Sequence, residues 1–252
     1  NQRIQEDYLR ILRYLRFYTQ YNKNKFHDET TIKAIKKNLN GLTKISKERI
    51  LEELFKMMKL NNFSKLFEDE FCRFIILSIL PQLRNYNRIK ILNKISYKIK
   101  KQIDKILLLS ILIVDETDNC NFFLYKYQLS NEDKKRILFI KNSFKNYSKQ
   151  YLYSKKNLLK LTYLSDKLSV IELLIFLIFV NPEKISNIEN LIDYIKEKTT
   201  PEFPINAKFL KEEFNFLEGN KKSDIVGDSD DFGLEHSYID IDMEKIMFLC
   251  ED

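Results

Sequence analysis

Apolar residues recur three and four positions apart through most of this chain, the spacing that lines one face of a helix. Wound at about 100° per residue, the stretch Arg3 to Phe17, RIQEDYLRILRYLRF, places Ile4, Tyr8, Ile11, Leu12, Leu15 and Tyr18 on one arc of about 120°. That is the width of a buried stripe. Arg3, Glu6, Asp7, Arg10 and Arg13 fall on the opposite side, where Tyr14 and Phe17 share the polar face. The pattern predicts a first helix ending near Tyr21. Asp28 is placed to cap a second helix that stops at Asn40-Gly41, and Ser46 to cap a third.

From about Asn61 to Thr200, apolar helical runs alternate with basic polar faces. The longest apolar run, Val170 to Val180, has 11 residues and includes Glu172, and Ile106 to Val114 has nine. Both fall short of the roughly 20 residues that span a bilayer, so they predict buried helices and no membrane partner. With only 4 Gly and 4 Pro, the chain has too few interruptions for a sheet protein that needs many turns. The fold class expected is all-α. Thr199-Thr200-Pro201-Glu202-Phe203-Pro204 breaks the helical pattern and sets a boundary. Three helical regions in an extended arrangement follow: 1–60, 61–200 and 201–252.

Charge is uneven along the chain. Residues 212–252 carry 13 acidic and 3 basic groups, net −10, against +7 for the whole, so residues 1–211 carry +17. The acidic end, Asp228-Ser229-Asp230-Asp231 included, has the weakly apolar composition of mobile surface rather than of a metal site. Residues 134–160 hold nine Lys or Arg and no acid, interleaved with Phe139, Phe144, Tyr147, Tyr151 and Tyr153. Residues 73–101 hold eight basic groups and no acid. Such segments suit a phosphate backbone, and Lys134, Lys135, Arg136, Lys141 and Lys145 are the candidate contacts. The opposing reading is that codon bias inflates lysine and that aromatics at helical spacing are core. The pattern leaves both open.

Cys72, Cys120 and Cys250 are isolated, with only His27 and His236 for company. That spacing argues against a zinc site or a disulfide framework and fits a reducing compartment. Cys72 reads as a small buried hydrophobe, and no nucleophilic catalysis is assigned.

Four of the nine arginines lie between Arg3 and Arg16, in a chain that otherwise uses 34 lysines. Asp7 and Arg10, three apart, can reach one common ligand. A carboxylate offers only acceptors, and a guanidinium only donors in a planar fork that lysine cannot reproduce. Together they match a nucleobase edge with an amino donor beside a ring acceptor, as in cytosine and adenine. Uracil and guanine present a carbonyl where the amino group would be. The plainer reading of the same spacing is a surface ion pair contributing about 0.3–0.5 kcal/mol.

The string Glu6-Asp7-Tyr8-Leu9-Arg10-Ile11-Leu12-Arg13 with Arg16-Phe17 resembles the neck motif EDxxRxxR…RF of class II CCA-adding tRNA nucleotidyltransferases and bacterial poly(A) polymerases. EDYLRILR is similar to the alphaproteobacterial and mitochondrial branch. Ser46-Lys47-Glu48-Arg49-Ile50-Leu51-Glu52-Glu53-Leu54 resembles the family's next neck motif, S-x-E-R-I-x-x-E-L. The resemblance implies that Asp7 and Arg10 pair with the base of incoming CTP or ATP, standing in for a template strand. It implies supporting roles for Glu6 and Arg13 and a structural role in the neck for Arg49 and Glu52 or Glu53, whose plainer and favoured reading is a helix-stabilising ion pair.

On this basis residues 1–60 are the neck, 61–200 an RNA-binding body and 201–252 a tail. Phe203-Pro204-Ile205 resembles a late family element, with Ala207 and Phe209 where Gly and Asp are usual. The family's catalytic head, with its two metal-binding carboxylates, has no counterpart before Arg3. The sequence is therefore expected to be the neck, body and tail of a larger or split enzyme, binding without catalysing. Its expected partners are tRNA, met by the shape of the acceptor arm, CTP and ATP, and the head domain, which would hold Mg2+ while this chain binds none. The compartment expected is the bacterial cytoplasm, or else the mitochondrion. A poly(A) polymerase, a silent helical RNA-binding module and a basic helical scaffold remain as alternatives.

Overall fold

The computed structural model describes residues 2–21, 26–146 and 149–198. They form helices joined by short turns, with no strand among them. The first compact unit spans Asn1–Lys198; the second, Thr199–Asp252, lies outside the described residues, as do the tail motif and the acidic end.

Among the described residues, fourteen α-helices run in chain order: α1 Gln2–Glu6, α2 Arg10–Tyr21, α3 Glu29–Asn38, α4 Lys47–Met58, α5 Lys65–Glu68, α6 Glu70–Ile79 and α7 Tyr97–Lys100. Then follow α8 Lys105–Ile113, α9 Asn119–Lys126, α10 Asn131–Asn146, α11 Lys149–Leu152, α12 Lys155–Leu164, α13 Lys167–Val180 and α14 Ile185–Glu197. Side-chain oxygens start many of them by taking an otherwise orphaned amide. Asp28 accepts from Thr31 N–H at 2.9 Å and Ser46 from Arg49 N–H at 3.4 Å, the two caps expected from sequence. Asp69, Asp104 and Asp166 cap α6, α8 and α13 in the same way.

The two apolar runs become the centre of the body. Every residue from Val170 to Phe179 in α13 and from Ile106 to Ile113 in α8 is buried. A helix apolar on all sides must be covered all round, and α13 is packed by α8, α10, α12 and α14. None of the described helices is long and apolar enough to cross a membrane. The core does not stop at residue 60, because α4 packs on α8 as well as on α2, joining neck and body in one buried cluster from Leu9 to Ile195.

The first predicted helix is broken. The structure ends α1 at Glu6 and starts α2 at Arg10, so Asp7, Tyr8 and Leu9 form a turn. Two contacts account for the break. Asp7 Oδ1 accepts the Leu9 N–H at 3.1 Å, a local bond that competes with the helical one. Tyr8 leaves the helical path to lie against Gly41, in the 3₁₀ turn Leu39–Lys44; a Cβ at position 41 would fall 2.0 Å from its ring.

Candidate functional site

The turn sets Asp7 and Arg10 at its two ends, with the Arg10 N–H donating to the Asp7 carbonyl at 3.1 Å. Their side chains are not paired with each other. Asp7 is held by Arg49 of α4, whose Nη2 lies 3.2 Å from Oδ1 and 3.1 Å from Oδ2. Arg13 Nη1 approaches Oδ2 at 3.8 Å. Arg10 is exposed and makes no ion pair among the described residues, while Asp7 keeps 24% side-chain exposure. Glu6 is exposed at the end of α1, one residue before the turn.

The second motif has a different job from the one expected. Arg49 and Glu53 do not pair within α4; each reaches back to the first motif. Glu53 is only 1% exposed. Its carboxylate accepts from Arg16 Nε at 3.0 Å and from Lys56 Nζ at 3.0 Å, with Arg13 Nε at 3.9 Å. Arg49, Asp7, Arg13, Glu53 and Arg16 therefore form one ladder of alternating charge between α2 and α4. A buried carboxylate needs such partners, because an unpaired charge there costs several kcal/mol. The ladder explains the arginines near the amino end: Arg13 and Arg16 answer Glu53, and Arg10 is left free.

In the body, the five candidate basic residues differ in burial and partners. Arg136 is committed to packing: Nε donates to Glu172 at 3.1 Å, Nη1 to Asp104 at 2.8 Å, and Nη2 also bonds Glu172. Partial burial opposes its charge, but these bonds and the two carboxylates outweigh that and raise its pKa. Lys141 is buried and donates to Asn121 Oδ1 at 2.7 Å. Both side chains are thus already engaged by partners within the fold. Lys135 and Lys145 are exposed and Lys134 half-exposed. Phe139 and Phe144 pack on the core, Phe144 edge-on to Phe176, as the opposing reading had them.

One pairing was invisible in the linear spacing. Cys72 is buried as expected, yet its Sγ lies 3.9 Å from His27 Nε2. Among the described residues, His27, Asp69 and Cys72 are the sole group of three potential metal ligands close together. That donor set does not fit the paired carboxylates that Mg2+-dependent nucleotidyl transfer requires.

Comparison with known proteins covers the second motif. Residues 27–85 match the family described as "Probable RNA and SrmB- binding site of polymerase A". The chain is 53% identical over 66 residues to the human protein named "CCA tRNA nucleotidyltransferase 1, mitochondrial" (26% of this chain, 15% of the relative). It is 35% identical over 146 residues to the Mus musculus protein of the same name (55% and 32%), and 51% identical over 67 residues to that of Danio rerio (26% and 16%). The chain thus spans no more than about a third of the curated relatives it matches.

Proposed function

Since the chain belongs to the family of CCA-adding tRNA nucleotidyltransferases and poly(A) polymerases, we propose that it is the nucleotide-selecting and tRNA-binding part of a CCA-adding enzyme. The reading rests on one observation: Asp7 and Arg10 flank a single tight turn, one side chain anchored from behind by Arg49 and the other free in solvent. Asp7 still has acceptor capacity beyond the bonds it makes, and would take the exocyclic amino proton of cytosine or adenine. Arg10 would donate to the adjacent ring acceptor. Uracil and guanine would turn a carbonyl toward the carboxylate. By analogy with base readout, each good contact is worth about 1–3 kcal/mol of discrimination. Arg13 would hold Asp7 in place, and Glu6 would flank the site.

The Mg2+ ions and the bond-making step belong in this proposal to a head domain outside these residues. The tRNA would be held electrostatically by exposed lysines, Lys134, Lys135 and Lys145 among them. The relatives' shared name favours CTP and ATP over ATP alone, and the mitochondrion over the bacterial cytoplasm.

The test is Arg10→Ala in the complete protein. Incorporation of C and A over U and G should flatten by at least tenfold while tRNA retention and thermal stability stay as they were, because Arg10 supports no packing. Unchanged discrimination would overturn the assignment. Wild-type protein that never incorporates CTP would point to poly(A) addition instead.

A further inference from the structure

Three metal-ligating side chains from two parts of the chain converge against α2. His27 precedes α3, Asp69 caps α6, and Cys72 lies in the first turn of α6; one ligand atom from each lies within 4.8 Å of the others. His27 Nε2 is 3.0 Å from Asp69 Oδ1 and 3.9 Å from Cys72 Sγ. In a tetrahedral zinc site, with Zn–S near 2.3 Å and Zn–N near 2.0 Å, nitrogen and sulfur stand about 3.5 Å apart. The His27–Cys72 pair would need a contraction of a few tenths of an ångström, and the widest of the three pairs, within 4.8 Å, up to about 1.3 Å.

The imidazole is also held as a ligating histidine needs to be. Tyr14 Oη lies 2.7 Å from Nδ1, Tyr18 stacks on the ring with centroids 3.8 Å apart, and Phe71 meets it edge-on at 4.8 Å. A partner on the nitrogen that does not bind metal fixes both tautomer and ring orientation.

We propose that His27, Asp69 and Cys72 bind one soft divalent cation, of which Zn2+ best suits a thiolate, an imidazole and a carboxylate, with water in the fourth position. Without the ion, burial first and the Asp69 charge second keep the Cys72 thiol protonated. A dication reverses that balance. On binding, the thiol proton leaves to solvent and sulfur coordinates as thiolate. The imidazole stays neutral: its proton, donated from Nε2 to Asp69 in the ion-free state, resides on Nδ1 and is donated to Tyr14. The ion would join the segment ahead of α3 to α6, two parts of the chain otherwise tied here by the His27–Asp69 hydrogen bond.

Titration of the reduced 252-residue chain with Co2+ tests this. A thiolate-to-cobalt absorption band should saturate at one equivalent and be displaced by Zn2+. The band should vanish in Cys72→Ala and persist in Cys120→Ala. Asp69→Asn, which keeps a capping oxygen, should weaken binding at least tenfold, and Tyr14→Phe about tenfold. One equivalent of Zn2+ should raise the Tm of the wild type and leave that of His27→Gln unmoved. No band, or a band that survives in Cys72→Ala, overturns the proposal. Should Cys72→Ala fail to show helical circular dichroism, His27→Gln decides, and unchanged affinity there overturns it too.

Discussion

Glu53 in α4 and Glu172 in α13 are both nearly cut off from water, and arginine answers each, yet the two networks run in different directions. Arg136 bridges Glu172 to Asp104, the cap of α8, and the triad ends there, among the body's own helices. Glu53 instead opens outward, through Arg13 to Asp7 and from Asp7 to Arg49, ending in the turn that presents Arg10. A network that ends among helices can do no more than hold them together. An open one transmits the order of the core to a group at the surface, which is what a base-reading carboxylate would require.

Substitutions can break this contrast. Glu172→Ala removes two of the three bonds that hold Arg136, only 23% exposed, leaving Asp104 as its partner, and should cost about 3 kcal/mol, the lower part of the range for a severed buried pair. Urea denaturation measures it. Glu53→Ala should cost less, about 2 kcal/mol: Arg16, 20% exposed, loses its carboxylate, but Arg13 and Lys56, 41% and 51% exposed, can turn to water. Equal costs would mean that the two networks do the same work. Arg49→Ala removes an exposed pair and should change stability by less than about 1 kcal/mol. In the complete protein it should still lower selection of C and A by about tenfold, as the Asp7 carboxylate loses its anchor.

Acid sharpens the contrast from the other side. Asp104 loses some solvation, but hydrogen bonds from Arg136 and from the amides of Leu107 and Ile106 hold its carboxyl below the ordinary range. Asp69 and Asp115 are also lowered against partial burial, Asp69 by the Cys72 amide and His27, Asp115 by Thr117, Asn85 and Arg84. A carboxyl with a depressed folded pKa contributes stability that is complete above its unfolded value, near 3.9, and lost as pH falls through the folded one. Thermal unfolding followed downward from pH 6 should therefore hold steady to about pH 4 and then fall. Asp104→Asn should flatten part of that fall. The smallest effect on stability belongs to Lys134→Ala, Lys135→Ala and Lys145→Ala combined, which should leave Tm unmoved. The slope of log affinity for tRNA against log salt should drop by up to about 3.

What could be read from the sequence was local. Asp28 and Ser46 cap the helices that follow them because an N-cap bond spans three residues, and α8 and α13 declared themselves by unbroken apolar runs. The rest depended on contacts across the fold. The break at Asp7 has a local part, the Asp7–Leu9 bond, but its other cause, Tyr8 seated on Gly41, spans 33 positions, and Arg49 reaches Asp7 across 42. Spacing likewise could not tell Lys141, sunk beside Asn121, from Lys145, which stands in solvent four residues later. His27 and Cys72, 45 residues apart, looked solitary for the same reason.

The seat of Tyr8 on Gly41 has one more implication. An aromatic plate rests there directly on bare main chain, so the position of the adjoining turn is set by a place where no side-chain atoms stand. Even a methyl group would lift the plate and carry Asp7 away from Arg49. The accuracy of a polar contact at the surface is thereby entrusted to the smallest residue in the alphabet, which makes no hydrogen bond to the groups it aligns.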